Sequence, residues 1–259
     1  MSLAVANDHQ HPLLVELVTE ELPPKALSQL GKAFADGLQA GLAQQHLLAG
    51  ECDVTYFATP RRLAVRFSHV LSQAPDQQFA EKLMPVKIGL DENGQPTAAL
   101  KKKLEAKGWG HLQPGDLHTE SDGKQDCLYA KGTAQGAQLA QGLQKALEDA
   151  ITGLPIPKVM RYQLADGETS VKFVRPAHQL VALFGADIVP VALLGLTAGR
   201  TSSGHRFMGA QSLDIISADT YETQLANEGW VVPSFEVRRD AIKEQLQAQA
   251  ASLGHTIGN

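Results

Sequence analysis

Seven side chains suited to gripping an anion rather than breaking a bond stand out in this sequence: Arg61, Arg62, Arg161, Arg175, Arg200, His205 and Arg206. A guanidinium fork matches the oxygens of a phosphate group and stays charged at any physiological pH. Five of the seven fall between Pro157 and Phe207. From Lys158 to Arg206 six basic residues face three acids, a local charge of +3 in a chain whose formal charge is -5. A basic island in an acidic chain points to a selected anionic partner rather than general stickiness. Intramolecular ion pairing, or a hydrogen-bonded turn around His205-Arg206, is the competing account of the same residues.

The local pattern favours turns that present these groups. Pro176 pushes Arg175 toward extended backbone and ends a strand there. Gly204, directly before His205-Arg206, permits a turn that approaches a ligand closely. Gln179 to Phe184 and Ile188 to Leu196 are β-rich apolar runs joined at Gly185-Ala186-Asp187. Such a hairpin returns the chain toward Arg175 and predicts that the Arg200–Arg206 turn lies near it. Arg61 and Arg62 sit at the entrance of another strand, after Thr59-Pro60, where a loop residue makes contacts that the strand only positions.

Bond-making chemistry finds little support. Neither Gly-x-x-x-x-Gly-Lys-Ser/Thr nor Gly-x-Gly-x-x-Gly occurs, so neither phosphate-cradling loop is on offer. Ser202-Ser203-Gly204-His205 lacks the Gly-x-Ser-x-Gly elbow that presents a nucleophile to its base. His178 and His205 are too far apart for a local metal motif, and His178 alone reads as a core or interface histidine. Cys52 and Cys127 show neither metal spacing nor a disulfide framework and read as reduced thiols.

The elements that position these groups follow from apolar spacing. Leu13 to Val18 reads as a buried strand. Pro24 opens a helix whose face runs through Leu27, Leu30, Phe34, Leu38 and Leu42. Glu20 and Glu21 precede it, either as a grip for a partner or as a complement to the helix dipole. In Arg62 to Phe67, Leu63, Val65 and Phe67 alternate with Arg62, Ala64 and Arg66, which predicts a strand with a basic outer face, solvated or salt-bridged. Residues 72–94 read as loop, Pro96 to Lys107 as a short helix capped by Gly108 with Lys101-Lys102-Lys103 on its solvated side, and Gly115 to Gly123 as polar loop. Cys127 to Ala130 reads as a strand and Ala137 to Ile151 as a helix. Ser217 and Ser234 are N-caps for two more helices. Gly153-Leu154-Pro155-Ile156-Pro157 breaks the chain.

The expected fold class is α+β: two mixed domains with antiparallel or mixed sheets packed by helices. Residues 1–11 are expected to be a disordered tail or cloning remnant, 12–153 an N-terminal domain, and 154–259 a second domain truncated at its C-terminal end. No apolar run is long enough to span a bilayer and no signal-peptide pattern opens the chain, so a cytoplasmic protein with no membrane partner is expected.

Five segments in order carry a resemblance: LVELVTEELPPKAL (14–27), FATPRRLAV (57–65), PIPKVMRY (155–162), FVRPAHQLVALFG (173–185) and GHRFMG (204–209). Together they resemble the β subunit of bacterial heterotetrameric glycyl-tRNA synthetases, of which this chain would be the N-terminal portion. The resemblance implies participation in joining glycine to tRNA(Gly) at the expense of ATP, with the aminoacylation site in the α subunit. The β subunit then serves tRNA recognition and assembly. It implies no catalytic residue and no cofactor in this fragment, ATP being used by the complete enzyme. The partners it implies are the α subunit, tRNA(Gly) and the remainder of the β subunit. The seven side chains above become candidate tRNA or phosphate contacts. The alternative is a module that touches only protein.

Overall fold

The computed structural model describes residues 9–107, 109, 112–121, 123, 125–156, 158–164 and 166–256. The expected cap Gly108, Pro157 at the head of the basic island, and residues 1–8 of the expected tail lie outside that set. The fold is α+β, as its spacing pattern requires.

The chain opens with β1 (Gln10–Thr19), a turn of 3-10 helix at Pro24–Ala26, and α1 (Leu27–Gln44). The expected tail therefore ends earlier than His11: His11 pairs with Val70, and its ring meets Phe184 edge-on at 5.0 Å. All five predicted apolar positions of α1 are buried, each leucine contributing about 1.5–3 kcal/mol of transfer free energy. Strands β2 (Val54–Thr59) and β3 (Arg62–Leu71) follow.

Residues 75–136 then form a compact unit of their own. It contains β4 (Gln77–Pro85), the short helix α2 (Val86–Gly89), α3 (Ala98–Ala106), β5 (Leu117–Ser121) and β6 (Asp126–Ala134). The sheet runs β4-β6-β5, all antiparallel, and buries Leu83, Leu117 and Leu128 with Leu100 and Leu104 of α3. The helix expected to start at Pro96 starts at Ala98, and Thr97 caps it by accepting from the Leu100 N–H at 3.3 Å. Two predicted loops are strands here, β4 and β5. Each has a single buried residue, Leu83 in β4 and Leu117 in β5, so their alternation is faint.

The first unit resumes with α4 (Leu139–Thr152), β7 (Met160–Gln163), β8 (Ser170–Phe173), β9 (Ala177–Phe184) and β10 (Asp187–Ile188), and ends with α5 (Tyr221–Asn227) and α6 (Phe235–Ser252). Its main sheet has the order β10-β9-β1-β3-β2, with every pair antiparallel. The break expected at 153/154 thus lies inside this unit, because β9 pairs with β1 along most of its length. The turn at Gly185 forms as expected, but the following run is not one strand. Leu194 and Gly195 both take positive φ, 52° and 78°, and fold Ala192–Leu193 back on Leu196–Thr197.

Both faces of the main sheet are covered. Leu13, Val15 and Leu17 pack with Phe34, Leu38 and Leu143 of the α1–α4 layer. Leu14, Phe57, Ala64 and Val181 pack on the other face against Tyr221 and Leu225 of α5. The outer face of β3, expected to be basic and either solvated or salt-bridged, is salt-bridged: Arg62, only 3% exposed, lies beside Glu16, and the half-buried Arg66 lies 3.9 Å from Asp219. Among the described residues no helix is long and apolar enough to cross a membrane.

Candidate functional site

The site rests on a buried polar floor. Glu16 of β1 and Arg62 at the head of β3 lie on the α5 face of the sheet, their side chains 0% and 4% exposed. Arg62 Nε lies 3.3 Å from Glu16 Oε1, and the Tyr221 hydroxyl donates to the same oxygen at 2.6 Å. Burial first, and then the Glu16 charge, push the Tyr221 phenol well above its usual range, so it remains a donor. Arg62 also donates to the Ser203 carbonyl, which pins the following loop to the sheet. This arginine is a fastening, not a free phosphate ligand.

The loop above that floor, residues 203–210, is latched to the segment after α5. The Gly204 N–H donates to Ala210 O at 2.8 Å, the His205 N–H to Gly229 O at 2.6 Å, and the Ala210 N–H to Glu228 O at 3.2 Å. Three glycines make this approach possible. A Cβ on Gly209 would stand 2.0 Å from Gly229 O, and one on Gly204 would stand 2.7 Å from Gly229 Cα. The His205 ring accepts at Nδ1 from the Phe207 and Met208 N–H groups, at 3.3 and 3.2 Å. Its work is to close the turn that holds Arg206 and Phe207 outward. The Arg206 guanidinium carbon lies 5.7 Å from the centre of the Phe207 ring.

A cleft of about 390 Å³ opens beside the loop, with Arg61, Arg206, Phe207, Trp230 and Arg238 on its walls. A second cavity of about 410 Å³ shares Arg61 and Arg206 and reaches Glu20, His178 and Gln179. Glu20 accepts from His178 Nε2 at 2.8 Å and from Arg61 at 2.9 Å. The His178 hydrogen bond, against a smaller opposing effect of burial and with help from the Arg61 charge, holds the Glu20 carboxyl below its usual range. The Arg61–Glu20 pair is 35% and 44% exposed, so an incoming phosphate can replace the carboxylate at little cost. Arg206 makes no salt bridge among the described residues.

The structure thus brings together Arg61, Arg62, His205 and Arg206. It places the other three candidates elsewhere. Arg175 donates to Glu21 O at 2.9 Å, sits 3.0 Å from Met160 Sδ, and lines a separate cavity with Lys158. Arg200 donates to the carbonyls of Ala186, at 2.9 Å, and Ile215, at 3.4 Å, clamping two loops. Arg161 stands exposed on β7. Sequence reasoning missed Phe207, Trp230 and Arg238 as cleft residues and His178 as a wall of the second cavity. The only local signals were an aromatic directly after His205-Arg206 and a tryptophan directly after Gly229.

Comparison with known proteins supplies a family. The glycyl-tRNA synthetase β-subunit family model matches residues 13–258. The glycine–tRNA ligase β subunit of Leptothrix cholodnii is 53% identical over 246 residues, covering 94% of this chain and 34% of that protein. The one from Acidovorax ebreus is 54% identical over 249 residues, covering 95% and 34%. That from Delftia acidovorans is 54% identical over 245 residues, covering 93% and 35%. The chain therefore spans about a third of the length of these relatives. The match takes in β1, the Arg61–Arg62 entrance, β9 and the latched loop together, and this chain belongs to the glycyl-tRNA synthetase β-subunit family.

Proposed function

We propose that this chain is a non-catalytic, tRNA-facing and assembly portion of a glycine–tRNA ligase β subunit. In this reading the complete cytoplasmic heterotetramer joins glycine to tRNA(Gly) with ATP, the α subunit holds the aminoacylation site, and this portion contributes neither catalytic residue nor cofactor. One observation carries the RNA-facing role: Arg61 and Arg206 both line an open cleft, one in an exchangeable exposed pair and the other in no salt bridge among the described residues. Guanidinium groups so placed suit phosphate oxygens. Their contribution to affinity should fall steeply with salt, because each neutralised phosphate releases counterions. Lys158, Arg161 and Arg175 offer a further basic surface, available to the same RNA or to another part of the enzyme.

The test is charge reversal in the assembled enzyme. Arg61→Glu with Arg206→Glu should weaken tRNA(Gly) binding and reduce charging at limiting tRNA, with the fold intact by circular dichroism. Unchanged binding and charging would remove the cleft from RNA recognition. The second reading, a module that touches only protein, is favoured by α6. Val237, Ile242 and Leu246 are exposed on it and no residue of it is buried. Crosslinking from the cleft in the complete enzyme separates the two, RNA adducts supporting the first reading and protein adducts alone the second.

A further inference from the structure

The cleft holds a feature that phosphate contact does not use. Phe207 is 85% exposed and Trp230 61% exposed, and both line the cavity walled by Arg61 and Arg206. We propose that these two rings form a platform on which an unpaired RNA base stacks, with Arg206 holding an adjacent phosphate. This rests on the RNA-facing reading of the cleft and names the part of the RNA that enters it.

The rings are held out by the backbone rather than left over from packing. Phe207 sits at the tip of the turn closed by His205 Nδ1 and latched through Gly204, Gly209 and Gly229. Trp230 follows Gly229 with φ of 54°, a left-handed backbone that bulky residues rarely adopt, and the Val231 N–H donating to Leu225 O at 2.9 Å fixes it. Two loops on either side of α5 thus present aromatic faces at one opening. Residues in sparsely populated backbone regions cluster at ligand clamps, and exposed aromatics beside arginine are the equipment of single-strand binding.

The charge pattern selects the ligand. Four arginines (Arg61, Arg62, Arg206 and Arg238) and one glutamate (Glu21) line the cleft. Arg62 is neutralised beneath it by Glu16, which leaves an excess of positive charge facing solvent. A polyanion with a flat apolar face matches this better than an apolar protein segment. A volume of about 390 Å³ is enough to admit a single splayed nucleotide. Unpaired bases at RNA ends, loops and bulges are the ones that stack on aromatic side chains.

The experiment titrates the complete assembled synthetase with a short fluorescein-labelled single-stranded oligoribonucleotide at several salt concentrations. F207A and W230A should each weaken binding about tenfold or more without changing the slope of affinity against salt, since stacking releases no counterions. F207Y and W230F should restore it, which excludes a folding defect. R206Q should lower both the affinity and the slope, the latter by about 0.7. An oligoribonucleotide with abasic sugars, which keeps its phosphates, should bind wild type and F207A alike. If F207A and W230A bind as wild type while R206Q loses slope, stacking is wrong and phosphate contact stands. If R206Q is also unchanged, the RNA-facing reading falls with it. Loss of subunit assembly in F207A, with normal RNA affinity in the assembled fraction, would assign the rings to a protein partner and overturn the proposal.

Discussion

Arg62 and Arg61 are neighbours with opposite fates, and the difference is a matter of which side of the strand entrance each occupies. Arg62 turns under the α5 layer and meets Glu16, while Arg61 stays at the surface with Glu20. Removing one member of a buried ion pair strands the other, so Arg62→Met should lower stability by about 3–5 kcal/mol in urea unfolding. Replacing the group together, as Glu16→Leu, Arg62→Met and Tyr221→Phe, should recover most of that loss; no recovery would mean that Arg62 matters chiefly through Ser203. Glu20 makes a pH prediction. Its folded-state value lies below its usual 4.5, so ionised Glu20 stabilises the fold above 4.5 and that contribution disappears as pH falls through the lower folded value. Because His178 supplies the largest share, His178→Ala should raise the Glu20 midpoint toward 4.5 in an NMR titration. An unmoved midpoint would assign the shift to Arg61 instead.

At the scale of elements, the latch between the 203–210 loop and the segment after α5 is the most demanding piece of backbone in the site. Gly209→Ala would drive a methyl into Gly229 O at 2.0 Å, and the obstacle is backbone that no side-chain rotation relieves. Hydrogen exchange at residues 203–211 and 226–232 should accelerate in that variant. Gly115→Ala, where a Cβ meets nothing within 4 Å, should leave exchange unchanged. Equal behaviour of the two would show that the latch is not what fixes the loop. The latch also marks where reading the sequence stops. The apolar stripe of α1 was legible because its spacing is local and its burial complete. β4 and β5 were not, because each shows the core only a few side chains. Arg61 and Arg206 could be chosen by type, but Arg62 could not be set apart from Arg61. The layer that buries it, Tyr221 and Leu225 with the Ser203 loop, comes from far along the chain. Phe207 and Trp230 meet one opening through a contact between glycines that no local pattern encodes.

The whole molecule is two compact units, and the chain order that joins them has a testable consequence. Residues 75–136 interrupt the first unit between β3 and α4. The two ends of the interruption are fastened to each other within that unit: the Ala74 N–H donates to Ala137 O at 2.9 Å, the Leu139 N–H to Ser72 O at 2.9 Å, and Gln73 bridges to Gln138. An inserted unit whose entry and exit are already hydrogen-bonded together leaves little closure entropy to be met when it is removed. Both cores of the first unit draw all of their buried residues from outside 75–136. Replacing Pro75–Gly136 by a short Gly-Ser turn should therefore leave the first unit cooperatively folded, with its near-ultraviolet circular dichroism and a urea midpoint close to that of the parent. The same excision asks what the second unit does. If the trimmed β subunit assembles and binds tRNA(Gly) with the parent's salt dependence, RNA recognition by this portion belongs to the Arg61–Arg206 cleft. If the trimmed chain folds but its salt slope drops, the lysines of α3 share in holding the RNA. Loss of the cooperative transition would show instead that the first unit needs the second to fold, despite the hydrogen bonds that close it.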